Sequence, residues 1–234
     1  MEAVSTAGKD RYVVYEGTLP FAKSMVYGFI KNVREAAEKN EGDNKEYVTL
    51  EHLQEELITK AWESLSKDKS KIRRFLDHEL LKYEFENADD AVQGALDVQK
   101  LEMLGLLLCQ GEFREKTQVF WDLLQDGGQE FISASDKDYK PCFTALCELC
   151  TVFELQVAKE IDGIECPYSQ DDMDAMRDCF EDVLEDHLDE LFDFQSKMQK
   201  EEWLKALAEK TPYLFSSSEL RKKVIEKAGL DIRY

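Results

Sequence analysis

Apolar residues recur along most of this chain at the 3.6-residue spacing of amphipathic helices, and strict alternation is scarce. Phe21, Met25, Phe29, Val33 and Ala37 define a first helix that fades into the polar run 38–45. Leu50, Leu53, Leu57 and Ala61 define a second, and Ile72, Phe75, Leu76, Leu80 and Phe85 a third. After a break at residues 87–90, Val98 to Cys109 forms a fourth, which Gly111 is expected to end. Phe113 to Leu124 is the fifth, and the sixth runs from Ser135 to Lys159 with a kink near Pro141. Ser169 and Asp172 have capping-box spacing. They open a seventh helix with Met173, Met176, Phe180, Leu184, Leu188 and Leu191 on one face. Lys200 to Lys210 is the eighth, stopped before Pro212, and Glu219 to Ala228 is a basic tail helix closed by Gly229. Residues 1–18 carry no sustained pattern and read as an extended arm.

The expected fold class is therefore all-α, with helices in pairs joined by short polar breaks. The breaks divide the chain into the arm 1–18, an N-terminal lobe 19–111, a C-terminal lobe 112–210 and a tail 211–234.

Each break can be compared with a twelve-residue calcium loop. Such a loop carries oxygen ligands at positions 1, 3, 5, 7, 9 and 12, glycine at 6 and an apolar residue at 8. A hard dication requires several oxygens, mostly anionic, converging from one loop. In the break at 89–100, Asp89, Gly94, Leu96 and Asp97 fall at positions 1, 6, 8 and 9. Ala91 and Gln93 take positions 3 and 5, and Lys100 replaces the bidentate glutamate at 12. In the break at 125–136, Ile132 is at 8 and Asp136 at 12, but Gln125, Gly127 and Gln129 fill 1, 3 and 5. In the last break Met198 is at 8 and Glu202 at 12, with Leu191 at 1, Asp193 at 3 and Gln195 at 5. The first puts Val48 at 8 and Asp43 at 3, with Glu41, Lys45 and His52 at 1, 5 and 12. No loop supplies the usual carboxylate set, so no metal or other cofactor is expected. Calcium is the alternative, with Asp89, Asp97 and backbone carbonyls as its fallback ligands.

Leu104-Gly-Leu-Leu-Leu-Cys-Gln-Gly-Glu-Phe-Arg-Glu-Lys116, followed by Phe120 and Phe131-Ile-Ser133, resembles the segment joining the second and third hands of calaxin and the neuronal calcium sensors. Met198-Gln-Lys-Glu-Glu-Trp-Leu-Lys-Ala-Leu207 is similar to the exit of a fourth hand, and Tyr213-Leu-Phe215 to the apolar tail after it. The resemblance spans residues 24–215. It implies an EF-hand fold of two paired-hand lobes. Since calaxin-like proteins regulate ciliary dynein, it also implies a ciliary or cytoskeletal protein partner.

Paired hands commonly grip an amphipathic helix in an apolar groove. Leu104, Leu107, Leu108, Phe143, Leu146 and Leu149 are candidates to line it, with ordinary core as the alternative. With the metal switch lost, the groove is expected to be fixed, either open or filled by Tyr213, Leu214 and Phe215. The expected function is thus a non-catalytic adaptor that holds a protein partner constitutively; a calcium sensor with atypical loops is the alternative.

Composition narrows this further. Fifty acids against thirty bases give a net charge of −20, which argues against nucleic acid as a partner. Between Asp171 and Asp193 lie eleven acids and one arginine, read as the solvated face of a helix or as a dock for a basic partner. No apolar run approaches the roughly 18 residues of a membrane span. The start, Met1-Glu2-Ala3-Val4-Ser5, has neither a basic leader nor a Met-Gly. A cytoplasmic protein without membrane insertion is expected. Six cysteines then read as reduced core thiols, including the Cys147-Glu-Leu-Cys150 pair inside an apolar run. The three histidines are scattered, and no catalytic motif is apparent.

Overall fold

The computed structural model describes residues 10–40, 44–87, 91–124 and 130–233. It is predominantly helical. The elements are α1 (Arg11–Glu16), α2 (Val26–Ala37), β1 (Tyr47–Val48), α3 (Leu50–Glu56), α4 (Lys71–Leu76), β2 (Leu96–Asp97), α5 (Val98–Leu108) and α6 (Phe113–Leu124). They continue with β3 (Phe131–Ser133), α7 (Tyr139–Glu148), α8 (Glu154–Asp162), α9 (Gln170–Asp178), α10 (Phe180–Phe192), β4 (Lys197–Gln199), α11 (Lys200–Lys210) and α12 (Ser217–Lys227).

Several boundaries follow local chemistry. Thr49, Ser70 and Asp97 accept hydrogen bonds from the first-turn amides of α3, α4 and α5 as N-caps. Ser169 and Asp172 form the expected reciprocal capping box on α9. Gly163 and Gly229, both with positive φ, follow α8 and α12.

Other expectations give way. Residues 11–16, assigned to the arm, are helical because Tyr12 and Tyr15 have the core to pack against; both are buried. The third helix stops at Leu76, and Glu79–Leu81 is a separate 3₁₀ turn. The seventh splits at Cys179 into α9 and α10. Gly111 does not cap α5, which ends at Leu108 with Cys109 in extended conformation. Gly111 instead permits close approach, since a Cβ there would lie 2.9 Å from Cγ1 of Val26.

The sixth helix begins and ends a few residues later than expected. α7, a π-helical turn at Leu149–Phe153 and α8 form one helix of 24 residues, Tyr139–Asp162. By length and composition it could cross a membrane, contrary to the reading of single apolar runs. In this fold it is the central helix, with 78% of its apolar window buried inside the protein.

Two short antiparallel ladders join loops distant in sequence. β1 pairs with β2, setting Val48 opposite Leu96, and β3 pairs with β4, setting Ile132 opposite Met198. All four side chains are buried. Buried residues from Tyr12 to Ile225, drawn from both halves of the chain, form one continuous apolar cluster.

Within it, Phe29 stacks on Trp62 at 5.6 Å and meets Phe21 edge-on at 5.0 Å. Gly105 of α5 packs onto the same ring, where an added Cβ would stand 2.8 Å from Cδ1 of Phe29. Gly105→Val is therefore expected to cost about 1–3 kcal/mol, because the pinned Phe29 ring cannot retreat. Urea unfolding would register this as a lower midpoint at unchanged slope.

Candidate functional site

The apolar residues at position 8 of the four loops are the ones that pair across the ladders. Val48 stands opposite Leu96 and Ile132 opposite Met198, so the ladders join the first break to the second and the third to the last. In the second loop Gly94 adopts φ +74°, the sharp turn expected of position 6.

Around these ladders the ligand positions carry ordinary protein contacts. In the fourth loop the Lys210 ammonium lies 3.3 Å from Oδ2 of Asp193 and 3.5 Å from the Leu191 carbonyl. Nε2 of Gln195, at position 5, donates to Oε1 of Glu202, at position 12, at 3.0 Å. An internal cation and an internal amide thus contact three oxygens of the loop, Oδ2 of Asp193, the Leu191 carbonyl and Oε1 of Glu202. In the second loop the Asp97 carboxylate accepts from the Lys100 amide at 2.9 Å and is committed to capping α5. Burial is the main influence on this carboxyl and pushes its pKa up, opposed by that hydrogen bond. Asp89 lies outside the described residues. In the first loop Asn40 donates to the carbonyls of Asn44 and Tyr47 at 2.8 and 2.6 Å. Across from it Tyr83 reaches Glu46, and Tyr47, Tyr83 and Phe85 cluster at 4.8–5.8 Å. Among the described residues no three His, Cys, Asp or Glu side chains gather into a metal-ligating group.

The proposed groove is closed. Leu104, Leu107, Phe143, Leu146 and Leu149 are buried, and Leu108 is half-buried against the same core. α5 packs directly on α7, so the leucines expected to face a partner face one another. Leu214 and Phe215 are buried in the C-terminal half, where the Phe215 ring lies 5.4 Å from both Phe113 and Phe120. As an open binding surface these residues are corrected to interior, with the tail filling part of that interior. A small cavity persists among Leu19, Phe75, Leu104, Leu107, Leu108, Leu149, Phe153 and Glu154.

Two buried polar centres escaped the sequence reading. The first surrounds Arg221 of α12. Its guanidinium lies 2.7 Å from Glu154, 3.1 Å from Asp10 and 3.4 Å from Glu16, and it donates to the Cys150 carbonyl at 2.9 Å. The Tyr12 ring covers it at 5.1 Å. Burial pushes the Glu154 carboxyl well up even with Arg221 beside it. The signal lay in the sequence, since Glu154 is the lone acid among Thr151-Val-Phe-Glu-Leu-Gln-Val157. The π turn also leaves its mark here, as it ends at the residue before Glu154.

The second centre is His187 of α10, fully buried between two hydroxyls. Tyr139 contacts Nε2 at 2.7 Å and Tyr213 contacts Nδ1 at 3.1 Å. Burial pushes the imidazole down to about 3, so it is neutral. With both nitrogens taken, the ring has no open position for a reacting group. Five of the six cysteines are likewise buried. Burial pushes Cys109 and Cys142 up to about 12, and Cys147 and Cys150 up as well. Thiols so disfavoured as thiolates are poor nucleophiles.

Compared with known proteins, the chain matches no family model, no curated protein and no solved structure.

Proposed function

We propose that this chain is a non-catalytic, EF-hand-like scaffold that holds its fold without metal and binds a protein partner constitutively. The observation that carries this reading is the pairing of the four loops through Val48–Leu96 and Ile132–Met198, combined with the Lys210 ammonium seated on Asp193 and the Leu191 carbonyl. A calcium loop is an arrangement of oxygens that repel one another until a cation arrives. Here a lysine supplies the cation in one loop and hydrogen bonds supply the order in others. The helix angles around the ladders are then set by the sequence and not by an ion. The closed interior fits the same reading, because a hand that opens on metal binding needs an apolar face free to be uncovered. A cytoplasmic setting, and a ciliary or cytoskeletal partner, belong to this proposal through the resemblance to calaxin alone.

Titrating metal-stripped protein with calcium in a calorimeter tests it directly. The expected result is no saturable heat up to millimolar calcium, together with the same melting temperature in calcium and in chelator. A micromolar site that persists in excess magnesium would overturn the proposal and favour a calcium sensor. Replacing Asp89 and Asp97 with alanine would then locate the site.

A further inference from the structure

The 3₁₀ turn Pro212–Phe215 carries the chain from α11 to α12 and buries Leu214 and Phe215. Its Tyr213 side chain reaches His187 of α10. The other rings against this imidazole, Tyr139 and Phe143 of α7, are buried, whereas Tyr213 is half-exposed. On that side the phenol stands between the imidazole and solvent.

The hydrogen bonds around His187 have a direction. The Tyr213 hydroxyl donates to Oε2 of Glu190 at 3.4 Å, because a carboxylate can only accept. It must therefore accept from Nδ1 of His187 at 3.1 Å. This assigns the ring proton to Nδ1 and leaves Nε2 to accept from the Tyr139 hydroxyl at 2.7 Å. A second proton has to enter at Nε2, where it would meet that hydroxyl. Tyr139 would then have to turn its own hydrogen away inside the core, where His187 is its one hydrogen-bond partner among the described residues.

The surrounding charges do not favour an imidazolium either. From α12, Lys223 lies 3.9 Å over the Tyr213 ring and repels a charged His187, while holding Glu190 at 3.5 Å. Asp186, the neighbour of His187 in α10, is taken by Lys227 at 2.6 Å. Lys210 of α11 is engaged with Asp193 and the Leu191 carbonyl. α7 contributes, besides Tyr139, the thiols of Cys142 and Cys147, which burial keeps neutral.

We propose that His187 and Tyr213 form an acid-operated latch: protonation of the imidazole frees the turn Pro212–Phe215 and uncovers the apolar face that Phe215 fills against Phe113 and Phe120. With the turn closed, burial holds the ring neutral down to about 3. With the turn open, it titrates near 6.5 as a histidine in water does. The open form binds the extra proton, so acid favours it, and the opening equilibrium should rise about thirtyfold between pH 7.5 and pH 5.0. The open form remains a minor state of a folded protein, distinct from global unfolding.

Native-state hydrogen exchange read by mass spectrometry tests the latch, with rates corrected for the intrinsic pH dependence of exchange. Protection of the amides in residues 213–216 should fall about thirtyfold from pH 7.5 to pH 5.0, while the central helix Tyr139–Asp162 keeps its protection. His187→Gln should abolish the fall. Unchanged protection of the turn would overturn the proposal, as would an equal loss in the central helix, which would mean global unfolding. A fall that persists in His187→Gln would place the titrating group elsewhere and overturn it too. If the glutamine variant does not fold, the comparison of turn and central helix in the parent still decides.

Discussion

Replacing Arg221 with methionine is expected to lower the unfolding free energy by about 3–5 kcal/mol, the usual cost of stranding a buried charge. For a domain of this size that corresponds to a melting temperature lower by roughly 6–20 °C. The effect should be large because one guanidinium faces three carboxyl groups from two parts of the chain: Asp10 and Glu16 at the two ends of α1, and Glu154 opening α8. Without it, Glu154 is left fully buried and Glu16 loses its cation, although its hydrogen bond from Ser217 remains. α1 should then detach first, exposing Tyr12 and Tyr15 to protease and to fluorescence quenchers. The double variant Arg221→Met, Glu154→Leu distinguishes a charge effect from a packing effect. If the damage arises from the stranded carboxylate, the double variant should be more stable than Arg221→Met alone. A double variant as unstable as the sum of the two single ones would refute the network as described.

Acidification should destabilise the protein through His187. A histidine in the unfolded chain takes up its proton near pH 6.5, whereas burial holds the native ring neutral down to about 3. Between those values the unfolded state binds one more proton than the native state. The contribution of His187 is therefore fully present above about pH 6.5 and is lost as pH falls toward 3, at about 1.4 kcal/mol per pH unit. His187→Gln can hydrogen-bond at the same place without titrating. Its stability, measured by urea unfolding at pH 7.5, 6.0 and 5.0, should fall less steeply than that of the parent by that slope. Equal slopes would show that the imidazole is reached by water and takes up its proton in the native state.

Much of the secondary structure was legible in the sequence because its causes are local. The capping box at Ser169 and Asp172, the stop of α11 before Pro212 and the closing turn at Gly229 each depend on residues within one helical turn. The loop alignment was legible for a related reason. Gly94 turns with positive φ, and Val48, Leu96, Ile132 and Met198 are apolar because the two ladders bury them. The same alignment exposed the missing carboxylates, since ligand chemistry is written in residue identity.

What the chain alone did not disclose depends on which surfaces meet. A leucine on α5 has the same periodicity whether it lines an open groove or packs on α7, and only the assembled fold shows that Leu104 and Leu107 face the interior. Lys210 and Asp193 are 17 residues apart, and Arg221 and Asp10 are 211 apart, so neither pair leaves a local trace. The helix at Arg11–Glu16 falls in the same class: six residues cannot hold a helix in water, and this one exists because Tyr12 and Tyr15 reach α8 and α12. The sequence by itself determined most of the helices and the ends that local caps set, and it showed that no aligned loop carries the usual calcium ligands, because these rest on spacing and side-chain chemistry. The tertiary structure alone decided which apolar faces are covered and which charges are shared, because burial is a property of neighbours brought together by the fold.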